Sequence, residues 1–181
     1  LEVSAYCWFI SKNISDEHGE VNELSKDSGI ADTVLYTDGG CHGNPGPGGW
    51  AWRAVDDSGT LIAEGSGFDP ATTNNRMELS AVIAALRWAH DSDRSGSVVV
   101  RTDSQYVRQG ITSWITRWRK NGWLTTARKP VKNAELWRTL DELNARAQPV
   151  WEWVRGHAGD PNNEACDQAV QQAIASRSGS S

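Results

Sequence analysis

Long apolar runs are absent from this sequence. No stretch approaches the roughly 20 residues that a helix needs to cross a bilayer, so a membrane-spanning protein is not expected. Residues 1–10 lack the basic flank and cleavage site of a secretory signal, and the only methionine is Met77, so an added, processed or truncated start is expected. Cysteine is scarce: Cys7, Cys41 and Cys166 form no CxxC pair and are odd in number. That argues against a disulfide framework and for a reducing cytoplasm. Too few Cys and His cluster for a zinc site. The glycine-rich segment 39–49 lacks a GK[ST] ending, so it is not a nucleotide-binding P-loop.

Positive charge is also in deficit, with a net charge of −5, but its distribution matters more than its sum. Residues 1–31 hold six acids and two bases and so carry −4, which leaves −1 for the remaining 150 residues. Within 114–133 there are six bases, Arg117, Arg119, Lys120, Arg128, Lys129 and Lys132, and no acid. Such a patch can meet phosphates while carboxylates elsewhere cancel it in the total. With 38% hydrophobic and 23% charged residues the composition is that of a globular domain. Residues 1–31 read as an N-terminal extension or added segment, 32–175 as the folded domain, and 176–181 as a flexible tail.

The β-branched and aromatic residues of 33–38 predict a strand. The glycine-rich segment then reads as a turn, followed by strands at 50–55 and 59–67 joined by a hairpin at Asp56–Gly59. Thr72 or Thr73 suits a helix N-cap ahead of a helix over 76–90. The continuous apolar run of 97–102 predicts a strand in the middle of a sheet. Residues 104–146 read as mostly helical with breaks near Gly122 and Pro130, before a strand at 150–154 and a helix at 163–175. Three antiparallel strands followed by strands that alternate with helices predict an α/β fold. Its mixed five-stranded sheet is flanked by helices.

Four acids stand out by position. Asp38 ends the first strand, Glu78 lies inside the first helix, Asp103 directly follows the 97–102 strand, and Asp167 sits in the last helix. Acids at strand ends beside turns or helix starts are common ligand positions in α/β sheets. Bunched carboxylates repel unless a cation neutralises them, and hard oxygen ligands favour Mg²⁺ or Mn²⁺ over zinc. An Asp after a strand is also an ordinary turn former, and spacing alone does not bring these four together.

The segments YTDGGCHGNPGPGGWAW (36–52), TTNNRMEL (72–79), RTDSQYVRQGI (101–111), KPVKNAELW (129–137) and WEWVRGHAGDPNNEACDQA (151–169) together resemble bacterial ribonuclease HI. The resemblance covers residues 33–175 without a visible gap. It implies a ribonuclease H-like fold and an endonuclease that cuts the RNA strand of RNA–DNA hybrids, leaving 5′-phosphate and 3′-hydroxyl ends. By the same resemblance Asp38, Glu78, Asp103 and Asp167 are catalytic and hold two Mg²⁺ per active site, with Mn²⁺ as a substitute. His157 is implied as a catalytic histidine for proton transfer or product release, and Glu164 as an acid of secondary role.

The implied substrate contacts follow the same motifs. Cys41 and Asn44 on the glycine loop, with Asn74, Asn75 and Gln105, would meet the RNA minor groove, where amides and backbone groups answer both sides of a 2′-OH. Helix capping is the other reading of Asn74 and Asn75, and turn filling that of Cys41. Thr73 and Asn133 match a pocket for a phosphate of the DNA strand. Many relatives carry Arg just before the TTNN run, where this chain has Pro70 and Ala71, so that pocket is expected to have one phosphate donor fewer. Trp118, and next Trp114, are the residues expected to line the DNA channel, whereas Trp123, Trp137 and Trp151 are expected to be structural. The partner implied is an RNA–DNA hybrid duplex, with no membrane and a monomeric protein. A non-catalytic hybrid-binding module on the same fold is the alternative, and retention of all four carboxylates counts against it.

Overall fold

Strand β1 (Thr33–Cys41) forms the middle of a five-stranded sheet, and both of its faces are covered. The computed structural model describes residues 32–92, 96–156 and 159–178. The expectations for 1–31 and for the tail beyond 178 lie outside them. Strand β2 (Gly46–Val55) runs antiparallel to β1, and β3 (Leu61–Thr72) antiparallel to β2. Helix α1 (Asn74–Asp91) crosses back, and β4 (Val98–Thr102) joins β1 in parallel. Next come α2 (Gln105–Gln109), a single π turn at Gly110–Trp114, α3 (Ile115–Lys120) and α4 (Ala134–Ala147). Strand β5 (Val150–Trp153) pairs in parallel with β4, and α5 (Pro161–Ser178) closes the chain. The sheet order is β3-β2-β1-β4-β5, and the mixed five-stranded sheet is the one that the antiparallel-then-parallel pattern predicts.

Alternation along the strands divides the core into two faces. Leu35, Trp52, Ala54 and Val100 pack on one side with Leu79, Val82 and Leu86 of α1 and Trp137 and Leu140 of α4. Tyr36, Ala51 and Val55 pack on the other with Cys166, Val170 and Ile174 of α5. By the same alternation Asp38 follows Tyr36 on the α5 side, and Gly39 follows Leu35 and Thr37 on the α1 side.

Three local expectations are corrected. The glycine segment is largely ladder rather than turn: Gly39 pairs with Trp50, Gly40 with Gly49 and Cys41 with Gly48, which leaves a tip around His42–Pro45. Low strand propensity gave way to pairing with a neighbour already in place. Strand β3 runs past Gly67 to Thr72 despite Pro70, because β3 is an edge strand and a proline there needs no partner for a missing N–H. Thr73 holds the N-cap position of α1 as expected, but the helix begins at Asn74 rather than 76, and the Thr73 side chain makes no capping hydrogen bond and leaves its Oγ1 buried without a partner.

Candidate active site

Parallel pairing sets two carboxylates side by side. Thr37 of β1 faces Thr102 of β4, so the next residue of each strand, Asp38 and Asp103, emerges at the same end of the sheet. Such carboxyl ends of parallel strands are the usual ligand positions of α/β sheets. Helix α1 supplies the third acid. It lies against β1 at Gly39, where a Cβ would come within 2.3 Å of the Glu78 backbone nitrogen and of the Met77 carbonyl carbon. Any side chain there would lift the helix from the strand. Carboxylate oxygens of Asp38, Glu78 and Asp103 all lie within 4.8 Å of one another.

The electrostatics follow from this crowding. Burial holds the Glu78 carboxyl well above its ordinary range, and the charges of Asp38 and then Asp103 push it further the same way. Glu78 Oε2 is buried with no hydrogen-bond partner. Asp38 Oδ1 accepts the Gly39 N–H at 2.8 Å. Asp103 is bracketed by its own surroundings: its carbonyl accepts Trp153 Nε1 at 3.3 Å, and a Cβ on Gly156 would fall 2.5 Å from its Oδ2. Three crowded carboxylates with an orphaned buried oxygen are a poor arrangement for an empty site and a good one for a hard divalent cation.

Asp167 lies half-buried on α5 and stands outside the 4.8 Å group, although its neighbour Cys166 packs under β1, with Sγ 3.6 Å from the Tyr36 carbonyl oxygen. Burial, and next the charge of Asp38, push the Cys166 thiol up to about 12. His157 lies outside the described residues. Glu164 is exposed in the first turn of α5.

The loop and groove residues fall around this centre. Asn74 Oδ1 accepts the Cys41 backbone N–H at 2.7 Å, which ties α1 to the glycine hairpin. Cys41 Sγ donates to the Gly43 carbonyl at 2.6 Å and lies 3.9 Å from Asn44 Oδ1. His42 Nε2, 3.0 Å from Gln171 Oε1, anchors the hairpin tip to α5. Asn44 and Gln105 are exposed and Asn75 half-buried. Asn133 caps α4 in a left-handed conformation, φ 58°, and its Oδ1 lies 3.5 Å from Nη1 of Arg76 in the first turn of α1. Thr73 and Asn133 therefore belong to adjoining helix starts.

The basic segment differs from a row of free cations. All three bases of α3 are exposed, but among the described residues only Arg119 is paired, its Nη2 bonding Asp141 Oδ1 of α4 at 2.6 Å. Trp118 is half-buried, with its ring 5.5, 6.4 and 5.4 Å from those of Trp114, Trp123 and Trp137. Trp137 is fully buried and Trp123 and Trp151 pack against the core, consistent with structural roles.

The family model for RNase H matches residues 31–175 of this chain. The chain belongs to the ribonuclease H family. Ribonuclease H of Treponema denticola is 52% identical to it over 151 residues, 77% of this chain and 94% of that protein. The crystal structure of LC9-RNase H1, a type 1 RNase H with the type 2 active-site motif, superposes with a TM-score of 0.72 at 31% identity. The match spans 81% of this chain and 74% of that one. LC11-RNase H1, solved in complex with an RNA/DNA hybrid, superposes with a TM-score of 0.62 at 26% identity over 80% of this chain and 98% of that one.

Sequence reasoning on this ribonuclease H missed several residues that shape the site. Gly39 and Gly156 act by having no side chain, and Arg76 and Glu135 act through an ion pair between helices 59 positions apart. Gly39 lies inside the first of the family motifs, directly after Asp38. No local signal marks the Arg76–Glu135 pair.

Proposed function

We propose that this chain is an endonuclease that hydrolyses the RNA strand of RNA–DNA hybrids and leaves 5′-phosphate and 3′-hydroxyl ends. The observation that carries this reading is the convergence of Asp38, Glu78 and Asp103 on a ribonuclease H fold, around a buried Glu78 oxygen with no partner. Asp38, Glu78, Asp103 and Asp167 would hold two Mg²⁺, with Mn²⁺ as a substitute. When bound, the ions supply activation of the attacking water and stabilisation of the leaving oxygen.

The protein's own groups do the rest. Asp38 and Asp103 are fixed by strand pairing, so their geometry needs no adjustment when substrate arrives. Burial and the neighbouring carboxylates favour the protonated form of Glu78 in the metal-free site, and bound cations would favour its carboxylate form. The hairpin that carries Cys41 and Asn44, braced by Asn74 and Gln171, offers backbone and amide groups to consecutive 2′-hydroxyls, with Asn75 and Gln105 across the groove. Thr73 and Asn133 receive a phosphate of the DNA strand, and Trp118 and Trp114 line the channel for that strand. His157 serves proton transfer or product release. We read residues 32–175 as the functional unit, acting as a monomer in a reducing cytoplasm. Among the described residues Cys41 and Cys166 are free thiols, which fits that compartment.

The test is cleavage of one labelled sequence presented as RNA–DNA hybrid, double-stranded RNA, double-stranded DNA and single strand, with and without Mg²⁺. Mg²⁺-dependent cutting of RNA within the hybrid alone is expected, and Asp38→Asn should abolish it. Efficient cutting of the all-RNA duplex, or near-normal activity of Asp38→Asn, overturns the reading.

A further inference from the structure

Tyr106, in the first turn of α2, packs its ring 5.3 Å from that of Trp137 and 5.8 Å from that of Trp114. Its phenolic oxygen accepts hydrogen bonds from Trp137 Nε1 at 3.0 Å and from Asn133 Nδ2 at 3.3 Å. An indole N–H can only donate. The orientation of the Asn133 amide follows from Arg76, whose guanidinium also only donates and lies 3.5 Å from Oδ1. Arg76 is itself held by Glu135. The carbonyl of Asn133 must face Arg76, so its amino group must face Tyr106. Both partners of the phenolic oxygen are therefore donors, and neither uses the hydroxyl's own hydrogen.

We propose that the Tyr106 hydroxyl donates that hydrogen to a phosphate oxygen of the DNA strand, as a third donor beside Thr73 and Asn133. The assignment rests on the reading of those two residues as a DNA-phosphate pocket. The non-bridging oxygens of a phosphodiester only accept hydrogen bonds, and donors to an anion contribute more than donors to a neutral group. Trp137 and Asn133 fill the acceptor capacity of the phenol and turn its proton outward, beside the amide that meets the same phosphate. Arg76 contributes by fixing that amide. Thr73 Oγ1, buried without a partner at the start of α1, is the other hydroxyl at this junction with an unmet bond. Because tyrosine is neutral, it would add affinity and position at this phosphate without adding to the salt dependence of binding.

The experiment is steady-state kinetics of the full chain and of Tyr106→Phe on hybrids whose DNA strand carries one methylphosphonate, walked position by position, and on the unmodified hybrid. On the unmodified hybrid Tyr106→Phe should raise KM about tenfold, with kcat changed by no more than a few-fold. At one methylphosphonate position the wild type should itself weaken, and there Tyr106→Phe should add no further loss. A p-methoxyphenylalanine at 106 keeps the oxygen that Trp137 and Asn133 reach but has no hydrogen to donate, and it should show the same rise in KM. This second variant separates the missing donor from any loss of folding in Tyr106→Phe. A KM within twofold of wild type for either variant overturns the assignment. So does a tenfold penalty that persists at every methylphosphonate position, which would mark a purely structural tyrosine. If no methylphosphonate position weakens the wild type, the phosphate pocket itself is withdrawn, and Tyr106 with it.

Discussion

Gly39 and Glu78 touch backbone to backbone: a Cβ at Gly39 would lie 2.3 Å from the Glu78 nitrogen. This close approach lets α1 sit low enough on β1 for Glu78 to reach Asp38 and Asp103. Gly39→Ala should therefore cost stability and metal binding together. The obstructing atoms are backbone and cannot rotate away, so about 1–3 kcal/mol of overpacking is expected. Thermal unfolding and Mg²⁺ titration of the variant check this. A variant with normal Tm and normal Mg²⁺ affinity would show that α1 is free to shift without harm.

Glu78 should be a stability liability until a cation arrives. An unfolded chain ionises it in the ordinary carboxylate range, whereas the folded protein keeps its proton to higher pH. The unfolded state thus releases the proton first. Metal-free stability is fullest below the unfolded value and falls as pH rises through the interval up to the folded value. Glu78→Gln removes that loss and should raise the metal-free Tm at neutral pH above that of the wild type. It should also abolish cleavage and the stabilisation given by Mg²⁺. A lower metal-free Tm would mean that the carboxylate is welcome in its site even without metal.

Of the three bases in α3, Arg117 and Lys120 rather than Arg119 should carry the phosphate contacts. Arg119 is paired with Asp141, whereas Arg117 and Lys120 have no ion-pair partner among the described residues. Arg117→Ala with Lys120→Ala should flatten the log–log salt dependence of hybrid binding by roughly 0.9 for each phosphate that is no longer neutralised. KM should rise while kcat holds within a few-fold, the pattern of weakened uniform binding. An unchanged salt slope would place the hybrid elsewhere and leave this segment a solvated helix face.

Of the two cysteines among the described residues, Cys41 should react before Cys166. Cys166 is fully buried and its thiol is pushed up to about 12, so almost no thiolate exists near neutrality. Cys41 lies half-buried at the mouth of the hairpin. Iodoacetamide at pH 8 should label Cys41 in the native protein and Cys166 only after denaturation, as read by mass spectrometry of the peptides. Equal native labelling of both would mean that α5 opens readily from the sheet.

Truncation to residues 32–175 should keep activity on the hybrid within a few-fold, because every motif and every residue of the proposed site lies inside those bounds. Side-by-side kinetics with the full chain is the measurement. A large loss with an intact fold would assign a role to the acidic extension.

Sequence alone determined the order of elements and the mixed sheet, and its motifs nominated the four carboxylates. Strand and helix periods are local and survive in one dimension, and the motifs around Asp38, Glu78, Asp103 and Asp167 are contiguous strings. Tertiary structure decided what depends on distant backbones meeting. It turned most of the glycine segment into ladder, because Gly39, Gly40 and Cys41 had partners across the hairpin. It brought Asp38, Glu78 and Asp103 within one cation's reach and left Asp167, on α5, outside that group. It also committed Arg119 to Asp141 and Arg76 to Glu135, and half-buried Trp118 among three other tryptophans. Those partners are chosen by helix docking, whose angle and depth follow from packing across the whole core, and no spacing along the chain encodes them.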